Sequence, residues 1–299
     1  MARRKKGDKV DGWLVVDKPS GYSSAKIVAI AKRAYNAQKV GHGGTLDPLA
    51  TGILPIGLGE ATKTMPYIVD ATKEYDFTVK WGAATDSDDC EGEFIHSGGN
   101  IPAESEILSV LGGFTGAIEQ VPPAYSAIKV GGKRAYALAR AGVDVELKAR
   151  TVEIQELKVV EHDDDAGATS FHVICGKGTY VRSLGRDIAL TLGTFGHITA
   201  LRRTRVGPFS LKGAISLELL EDLSHSARAA GLLQPVTTAL DDIPALAVTA
   251  PEATDIQMGR SIQNPKAKQG VCILMNGTVP VAIAEARADI IRPLRVFNM

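Results

Sequence analysis

The 299-residue sequence has few aromatic residues and no excess of either charge. Phe, Trp and Tyr together make up 5% of the chain, and Lys plus Arg equal Asp plus Glu at 34 each. A net charge of zero gives no electrostatic reason, by itself, to expect a nucleic-acid partner. Any surface that binds RNA must therefore be a local cluster of basic residues.

Cysteines are scarce, and long apolar runs are missing. Cys90, Cys175 and Cys272 are odd in number and far apart, which indicates neither a disulfide framework nor a C-x-x-C metal or redox site. The basic N-terminus is followed by no apolar segment typical of a signal peptide, and no stretch has the length needed to span a bilayer. We expect reduced thiols, a cytoplasmic location and no membrane partner.

Motifs for nucleotide cofactors and catalytic zinc are also missing. The chain has no G-x-x-x-x-G-K-[ST], no G-x-G-x-x-G that opens a helix after a strand, and no H-E-x-x-H. The six histidines show no metal-ligand spacing. We therefore expect no cofactor and no metal.

The hydrophobic pattern predicts an α+β fold with a mixed, largely antiparallel sheet and flanking helices. Residues 75–82 alternate between apolar and polar side chains, as a half-buried strand does. Residues 41–59 are predicted as a functional loop that leads into a short helix, and residues 85–93 as an acidic loop. Further strands are predicted at 13–16, 152–160 and 169–175, and helices at 24–34, 107–111 and 181–192.

The length favours two domains. Residues 241–244 are predicted to be a linker, and beyond them two alternating segments flank Asn276 and Gly277, a pair that suits a type I′ hairpin turn. We expect a basic tail at 1–10, a catalytic domain at 11–243 and a small β-rich domain at 244–299.

One carboxylate stands out in residues 41–52 (GHGGTLDPLATG), where Asp47 lies between glycines. Pro48 disfavours a helical conformation at Asp47, so this loop can present the carboxylate at a fixed angle. An Asp-Pro pair in a glycine-rich stretch is also a common turn or helix cap. From the loop alone, Asp47 is either a turn residue or a catalytic carboxylate.

Residues 41–52, followed by ILPIG at 53–57, closely resemble the signature of the TruB-type tRNA pseudouridine synthases. Segments similar to other motifs of that family occur in the expected order at 13–21, 73–75, 122–133, 178–183 and 201–205, and the C-terminal region resembles a PUA module. One departure is Gly43, where the family usually carries Thr. We expect the loss of that side chain to loosen the loop beside His42 and to leave the assignment of Asp47 intact.

The resemblance implies a cofactor-free isomerase that turns uridine into pseudouridine at position 55, in the T-loop of tRNA. It implies that Asp47 is the catalytic carboxylate, that Tyr75 stacks on the flipped base, and that Arg182 pairs with Asp47 and keeps it ionised. The alternatives are an ordinary inward strand residue for Tyr75 and a surface ion pair with Asp187 or Glu91 for Arg182.

The resemblance also implies a set of residues that bind the substrate. Tyr180 and Leu201 would form walls of the uracil pocket, and His42 would fill the space that the extruded base leaves. Lys18 would support the active-site loop. The alternatives are core positions for Tyr180 and Leu201, and a hydrogen bond within its own loop for His42.

Basic segments and the C-terminal domain are expected to hold the T-arm through its phosphates and its folded shape. Each segment taken alone is also typical of a solvated face. Charge reversal at Arg202 and Arg203 is expected to weaken the salt dependence of RNA binding. The basic candidates are Arg3, Arg4, Lys5, Lys6, Lys129, Lys133, Arg134, Arg140, Arg202, Arg203 and Arg205.

Two other functions compete with a stand-alone monomeric enzyme. A tRNA-folding chaperone would use the same cleft without turnover, but the presence of Asp47, Tyr75 and Arg182 together argues against a protein that only binds. A guide-RNA-dependent relative would work inside a ribonucleoprotein, and the short segment before Trp13 offers little chain for extra partners. We therefore expect tRNA as the partner and no guide RNA.

Overall fold

The computed structural model describes residues 7–126, 128–141, 143, 147–223, 231–265 and 267–299. The basic residues at 3–6, and with them most of the predicted N-terminal tail, lie outside this part of the chain. The side chains of Lys129, Lys133, Arg134 and Arg140 also lie outside it.

Within the described residues, ten strands form one mixed sheet that holds the main core. The spatial order is β14-β1-β3-β12-β4-β11-β10-β7, with β2 beside β3 and β13 beside β12. Only the β1–β14 and β3–β12 pairs among these are parallel, which confirms the predicted, largely antiparallel sheet. The strands are β1 (Gly12–Lys18), β2 (Val40–His42), β3 (Thr51–Leu58), β4 (Lys73–Trp81), β7 (Gly116–Gln120), β10 (Arg150–Asp163), β11 (Ala168–Cys175), β12 (Gly196–Val206), β13 (Phe209–Ser210) and β14 (Ile215–Ser216).

Helices flank this sheet, and short ribbons extend from it. The first helix begins where predicted, because the Ser23 side chain accepts a hydrogen bond from the Lys26 amide at 3.2 Å and so caps it. The helices are α1 (Ser24–Ala34), α2 (Met65–Asp70), α3 (Glu104–Val110), α4 (Ala135–Arg140), α5 (Val181–Thr191) and α6 (Leu217–Asp222), and the ribbons pair β5 (Ala83–Thr85) with β6 (Phe94–Ser97) and β8 (Lys129–Val130) with β9 (Lys133–Arg134).

The prediction of a loop over 41–59 is wrong in its second half. Residues Thr51–Leu58 form a central strand between β1 and β12, and a 3₁₀ turn at Gly59–Lys63 takes the place of the predicted helix. This strand is buried on both faces, so its sequence lacks the alternation that marks a half-buried strand.

A second sheet covers residues 245–296 and confirms the small β-rich C-terminal unit. It is built in the order β15-β17-β18-β19-β16 and carries α7 (Ala250–Gln257). Its core continues into the main unit, where Phe297 belongs to the same buried cluster as Trp13. The strands are β15 (Ala245–Ala247), β16 (Ile262–Gln263), β17 (Gly270–Asn276), β18 (Val279–Arg287) and β19 (Ile290–Val296).

The predicted hairpin exists, but its turn differs from the predicted type. Asn276 pairs with Val279, so the two central residues are Gly277 and Thr278. Only Gly277 has a positive φ, at 60°. Glycine at the first central position is the pattern of a type II′ turn rather than type I′.

No helix in the described part of the chain is both long enough and apolar enough to cross a membrane.

Arg203 lies inside the sheet, which contradicts the prediction that it binds RNA. Its side chain is 1% exposed. The guanidinium donates to the carbonyl oxygens of Ile53 at 2.8 Å, Gly44 at 3.1 Å and Thr45 at 3.4 Å. Arg203 therefore ties β12 to β3 and to the loop that carries Asp47.

We expect Arg203→Met to lower the free energy of unfolding by about 3 kcal/mol, because several buried carbonyl groups lose their donor at once. Urea denaturation followed by circular dichroism measures the loss. Arg202→Gln is the matched control, since Arg202 is 38% exposed and pairs with Asp17 on the surface, and it should cost less than about 1 kcal/mol. Equal stability of the two variants would contradict the assignment of Arg203 to the core.

Candidate active site

The loop that carries Asp47 is held from both sides. Before Asp47, the Ser24 hydroxyl donates to the Leu46 carbonyl at 2.9 Å and accepts from the Leu46 amide at 2.8 Å. After it, the Lys18 ammonium donates to the Pro48 carbonyl at 3.0 Å. The Asp47 side chain between these anchors is 32% exposed, so a fixed backbone presents a carboxylate that a ligand can reach.

Lys18 acts as a buried hub for this loop. Its Nζ also donates to the carbonyl oxygens of Tyr22 at 2.8 Å and Pro19 at 3.0 Å, and the residue is 0% exposed. Burial lowers the pKa of Lys18 to about 8, and the negative charges of Asp47 and Glu91 oppose that shift. Lys18 therefore supports the loop rather than reaching into the open site.

Arg182, near the start of α5, contacts three separate segments of the site. Its Nε donates to Asp47 Oδ2 at 2.8 Å, and its Nη1 donates to the Ser87 carbonyl at 2.8 Å and lies 3.3 Å from Asp89 Oδ2. Its Nη2 donates to the Tyr125 carbonyl at 2.8 Å. Arg182 is 3% exposed, so the structure contains the predicted Arg182–Asp47 contact with the guanidinium buried and the carboxylate partly exposed.

The alternative of a surface ion pair for Arg182 is wrong. Asp187 pairs with Arg186 instead, at 2.9 Å. Arg182 pairs with Asp47 and Asp89 because a buried guanidinium needs hydrogen-bonding partners that are themselves held in place.

Asp89 belongs to the site, although the sequence analysis placed it only within an acidic loop. It is 3% exposed, and its Oδ1 accepts from the Ser87 hydroxyl at 2.6 Å and from the Glu91 amide at 3.0 Å. Together with Asp47 it gives Arg182 two carboxylate partners. Nothing in the spacing of the acidic loop distinguishes Asp89 from its neighbours, so the sequence alone could not have identified it.

Tyr75 and His42 lie near the buried charge of Arg203. Tyr75 pairs with Arg203 across β4 and β12, and burial raises the pKa of its phenol, so the ring stays neutral. His42 ends β2, and burial together with Arg203 lowers its pKa, while a contact with the Gly44 backbone opposes the shift. Its buried Nδ1 has no hydrogen-bond partner among the residues that the structure describes.

The predicted pocket walls are Tyr180 and Leu201. Tyr180 caps α5, and its amide and carbonyl bond the Gln120 side chain at 2.8 and 3.1 Å. The Arg150 guanidinium lies 4.8 Å from the centre of the Tyr180 ring. Leu201 is 8% exposed and belongs to the main core, where it pairs with Phe77. Contact of either residue with uracil stays a prediction.

Arg202 points away from Arg203, to the surface. Its guanidinium makes a two-point contact with the Asp17 carboxylate at 2.7 and 3.1 Å and lies 3.3 Å from the Thr51 hydroxyl. It remains half-exposed, so its predicted contact with substrate stays open to test.

No group of three or more His, Cys, Asp or Glu side chains in the described ranges is arranged to hold a metal ion. A cleft of about 570 Å³, lined in part by Tyr67 and Asp241, contains Arg205 from the basic candidates but none of the predicted catalytic or uracil-binding residues. The chemistry that the site offers is that of one reachable carboxylate, a buried cation beside it and a neutral phenol.

Comparison with known proteins identifies the family. Residues 32–181 match the N-terminal domain of the TruB family pseudouridylate synthases, and residues 182–241 match the tRNA pseudouridylate synthase B C-terminal domain. The chain belongs to the TruB family. It is accordingly an enzyme, a pseudouridine synthase.

The relatives agree in sequence and in fold. The tRNA pseudouridine synthase B of Caulobacter vibrioides is 51% identical, with 100% of both chains covered. A chain of a Cbf5–Nop10–Gar1 complex is 28% identical with a TM-score of 0.71, over 93% of this chain and 78% of that one. A chain of an H/ACA RNP bound to a substrate RNA has a TM-score of 0.74 at 24% identity, over 100% and 92%. These structures confirm the predicted pseudouridine synthase fold.

The space beside Gly43 is occupied by a neighbouring side chain, and the expected loosening of the loop stays a prediction. A Cβ atom at this position would lie 2.4 Å from Cγ2 of Ile68, a buried residue of α2. The space that a side chain at 43 would need is therefore already filled. Gly43 and Ile68 form a packed pair, and the departure from the usual Thr is matched by the neighbour.

We expect Gly43→Thr to lower the free energy of unfolding by about 2 kcal/mol, because it overpacks the contact with Ile68. Ile68→Ala alone should cost about 3 kcal/mol through the cavity that it leaves. The double variant should be at least about 1 kcal/mol more stable than the sum of the two losses predicts.

Denaturant unfolding of the four proteins measures this coupling. Gly112→Thr is the control, since no atom lies within 4 Å of an added Cβ there. Additive losses in the double variant would show that Ile68 does not occupy the space of the missing side chain.

Proposed function

We propose that the chain converts uridine to pseudouridine at position 55, in the T-loop of tRNA, without a cofactor and as a monomer that uses no guide RNA. Family membership and a full-length relative named tRNA pseudouridine synthase B support the reaction and the class of RNA. The observation that carries the mechanism is the 2.8 Å contact between the reachable Asp47 carboxylate and the buried Arg182 guanidinium.

The reaction itself needs only groups of this kind. It breaks the N1 glycosidic bond, turns the uracil and rejoins it through C5, so no atom or electron enters from outside. Asp47 acts as nucleophile or as base beside the ribose and the uracil. The Arg182 guanidinium pairs with that carboxylate and fixes its orientation from inside the protein.

Tyr75 and the pocket walls receive the base. The Tyr75 phenol is neutral near pH 7 at its ordinary pKa, and burial raises that pKa further, so its ring offers an uncharged face on which uracil stacks. Tyr180 and Leu201 close the sides of the pocket. These roles follow from the family resemblance and from the position of the three residues on β4, α5 and β12.

A uridine stacked in a folded loop must be extruded before its glycosidic bond can be reached, and extrusion costs a few kcal/mol. His42 fills the space that the base leaves. Its lowered pKa keeps the imidazole uncharged near neutral pH, which suits an insertion among stacked bases.

The first expected outcome is that the purified chain forms one pseudouridine in a T-arm stem-loop in excess EDTA, with no nucleotide and no other RNA present. Asp47→Asn should reduce the single-turnover rate by more than about 100-fold, because the chemical step loses its carboxylate, and should change tRNA affinity only a few-fold. Asp164→Asn is the matched control, since Asp164 is 83% exposed in a turn.

Base-resolution pseudouridine mapping and filter binding give the two measurements. Binding without turnover would indicate the chaperone, and neither binding nor turnover on bare RNA would indicate the guided enzyme. A rate for Asp47→Asn above about one hundredth of wild type would remove Asp47 from the catalytic role.

The second expected outcome separates base extrusion from bond chemistry. His42→Ala should slow the reaction on the folded stem-loop by about tenfold more than on a variant whose loop stacking is disrupted, because extrusion costs energy only where the uridine is stacked. Asp47→Asn should be inactive on both substrates. Stopped-flow fluorescence of a 2-aminopurine beside the target follows extrusion directly. Equal losses on the two substrates would place His42 in structural support.

A further inference from the structure

We infer that Arg186 and Asp88 form a second clamp, next to Arg182, that positions the loop bearing Asp89 and thereby controls the rate of the chemical step at Asp47. Both are positioning residues, since neither touches Asp47 in the structure. The inference rests on the proposed role of Asp47. It adds two residues: Arg186, one helical turn after Arg182, and Asp88, which precedes Asp89 in the loop.

The two arginines of α5 bind consecutive residues of one loop. Arg182 and Arg186 are four apart, so they project from the same side of the helix. Arg182 holds the Ser87 carbonyl and the Asp89 carboxylate, whereas Arg186 Nη1 donates to Asp88 Oδ2 at 2.9 Å. Three successive residues are thus fastened to one rigid helix.

The same two arginines also fasten a second segment. Arg186 Nη2 donates to the Val121 carbonyl at 2.8 Å, and Arg182 Nη2 donates to the Tyr125 carbonyl at the same distance. The Tyr125 hydroxyl in turn donates to Asp86 Oδ2 at 2.9 Å, which joins the two segments directly. Movement at the Arg186 end is therefore transmitted to the groups that hold Arg182.

Contacts from outside stabilise the loop at residues 87–89. Asp88 has φ of +61°, a left-handed conformation that residues other than glycine seldom adopt. Its side chain is only 12% exposed, so Arg186 compensates a carboxylate that the loop buries. The Arg182–Asp89 contact next to it is long, at 3.3 Å, and a small shift of the loop breaks it.

Protonation gives the clamp a measurable property. Burial raises the pKa of Asp88 to about 6, Arg186 and Arg182 oppose that shift, and Asp187 adds to it. These three groups of α5 are the charges that face Asp88 from outside its loop. Strand β12 meets the same loop through two backbone hydrogen bonds, from the Ile198 amide to the Asp88 carbonyl at 3.0 Å and from the Cys90 amide to the Ile198 carbonyl at 2.9 Å.

The sign of the pH effect separates positioning from stability. The folded chain takes up a proton at Asp88 as the pH falls through about 6, above the value for the unfolded chain, so protonation of Asp88 does not destabilise the fold. It does remove one of the two carboxylate charges that hold Arg186, the other being that of Asp187. The Arg186–Asp88 ion pair therefore weakens in acid, while protonation of Asp88 does not lower the stability of the fold.

The test compares wild type with Asp88→Asn and Arg186→Gln in single-turnover assays on the T-arm stem-loop. Asp88→Asn keeps the shape of the protonated side chain. Each variant should slow the chemical step by about tenfold to 100-fold with a dissociation constant for the RNA within about threefold of wild type. Asp164→Asn should match wild type in both measurements.

The pH profile between 5 and 8 supplies the readout that a merely structural role would not move. Wild type should lose activity with an apparent pKa near 6, and Asp88→Asn should lack that limb. A limb that persists unchanged in Asp88→Asn would assign it to another group, such as His42, and would overturn the clamp. Wild-type rates in both variants would also overturn it, whereas an inactive wild type would instead refute the proposed function.

Discussion

The buried guanidinium of Arg182 is the interaction on which the site depends. A cation at 3% exposure is tolerated only when hydrogen-bonding partners surround it, and here they come from the loops that carry Asp47, Asp89 and Tyr125. The same bonds that compensate the charge also bring these loops together. Because the Asp47 side chain is 32% exposed whereas Asp89 is buried, the arrangement leaves one carboxylate for the substrate.

Three cations are buried close to the Asp47 loop. The chain has no net charge, yet Lys18, Arg182 and Arg203 are all buried around the Asp47 loop, each against fixed carbonyl or carboxylate oxygens. Such cations act on the carboxylate at short range in a poorly solvated region. They cannot supply the phosphate contacts of an RNA surface, which must come from exposed groups such as Arg202.

Sequence periodicity predicted the elements whose burial is one-sided. The helix at Ser24–Ala34 and the strand at Lys73–Trp81 both expose one face, so their patterns are visible. Of two strands buried on both faces, the uninterrupted apolar run at 13–16 was predicted, whereas Thr51–Leu58 was missed because Gly52, Pro55 and Gly57 interrupt it. Site residues were likewise predicted only where a local motif contains them. Asp47 and Arg182 were found through their motifs, but Asp89 gains its role from a partner 93 positions along the chain (182 − 89), a relation that local pattern cannot reveal.

Neighbouring basic residues show why composition alone misleads. In β12 successive side chains point to opposite faces, so Arg203 enters the core while Arg202 reaches Asp17 at the surface. In α5 the spacing of four has the opposite effect and places Arg182 and Arg186 on one side, where both are tied to the same loop. A cluster of arginines on a strand therefore overstates the charge available to RNA. Arg182 and Arg186, at this spacing on a helix, instead bind one loop of the protein itself.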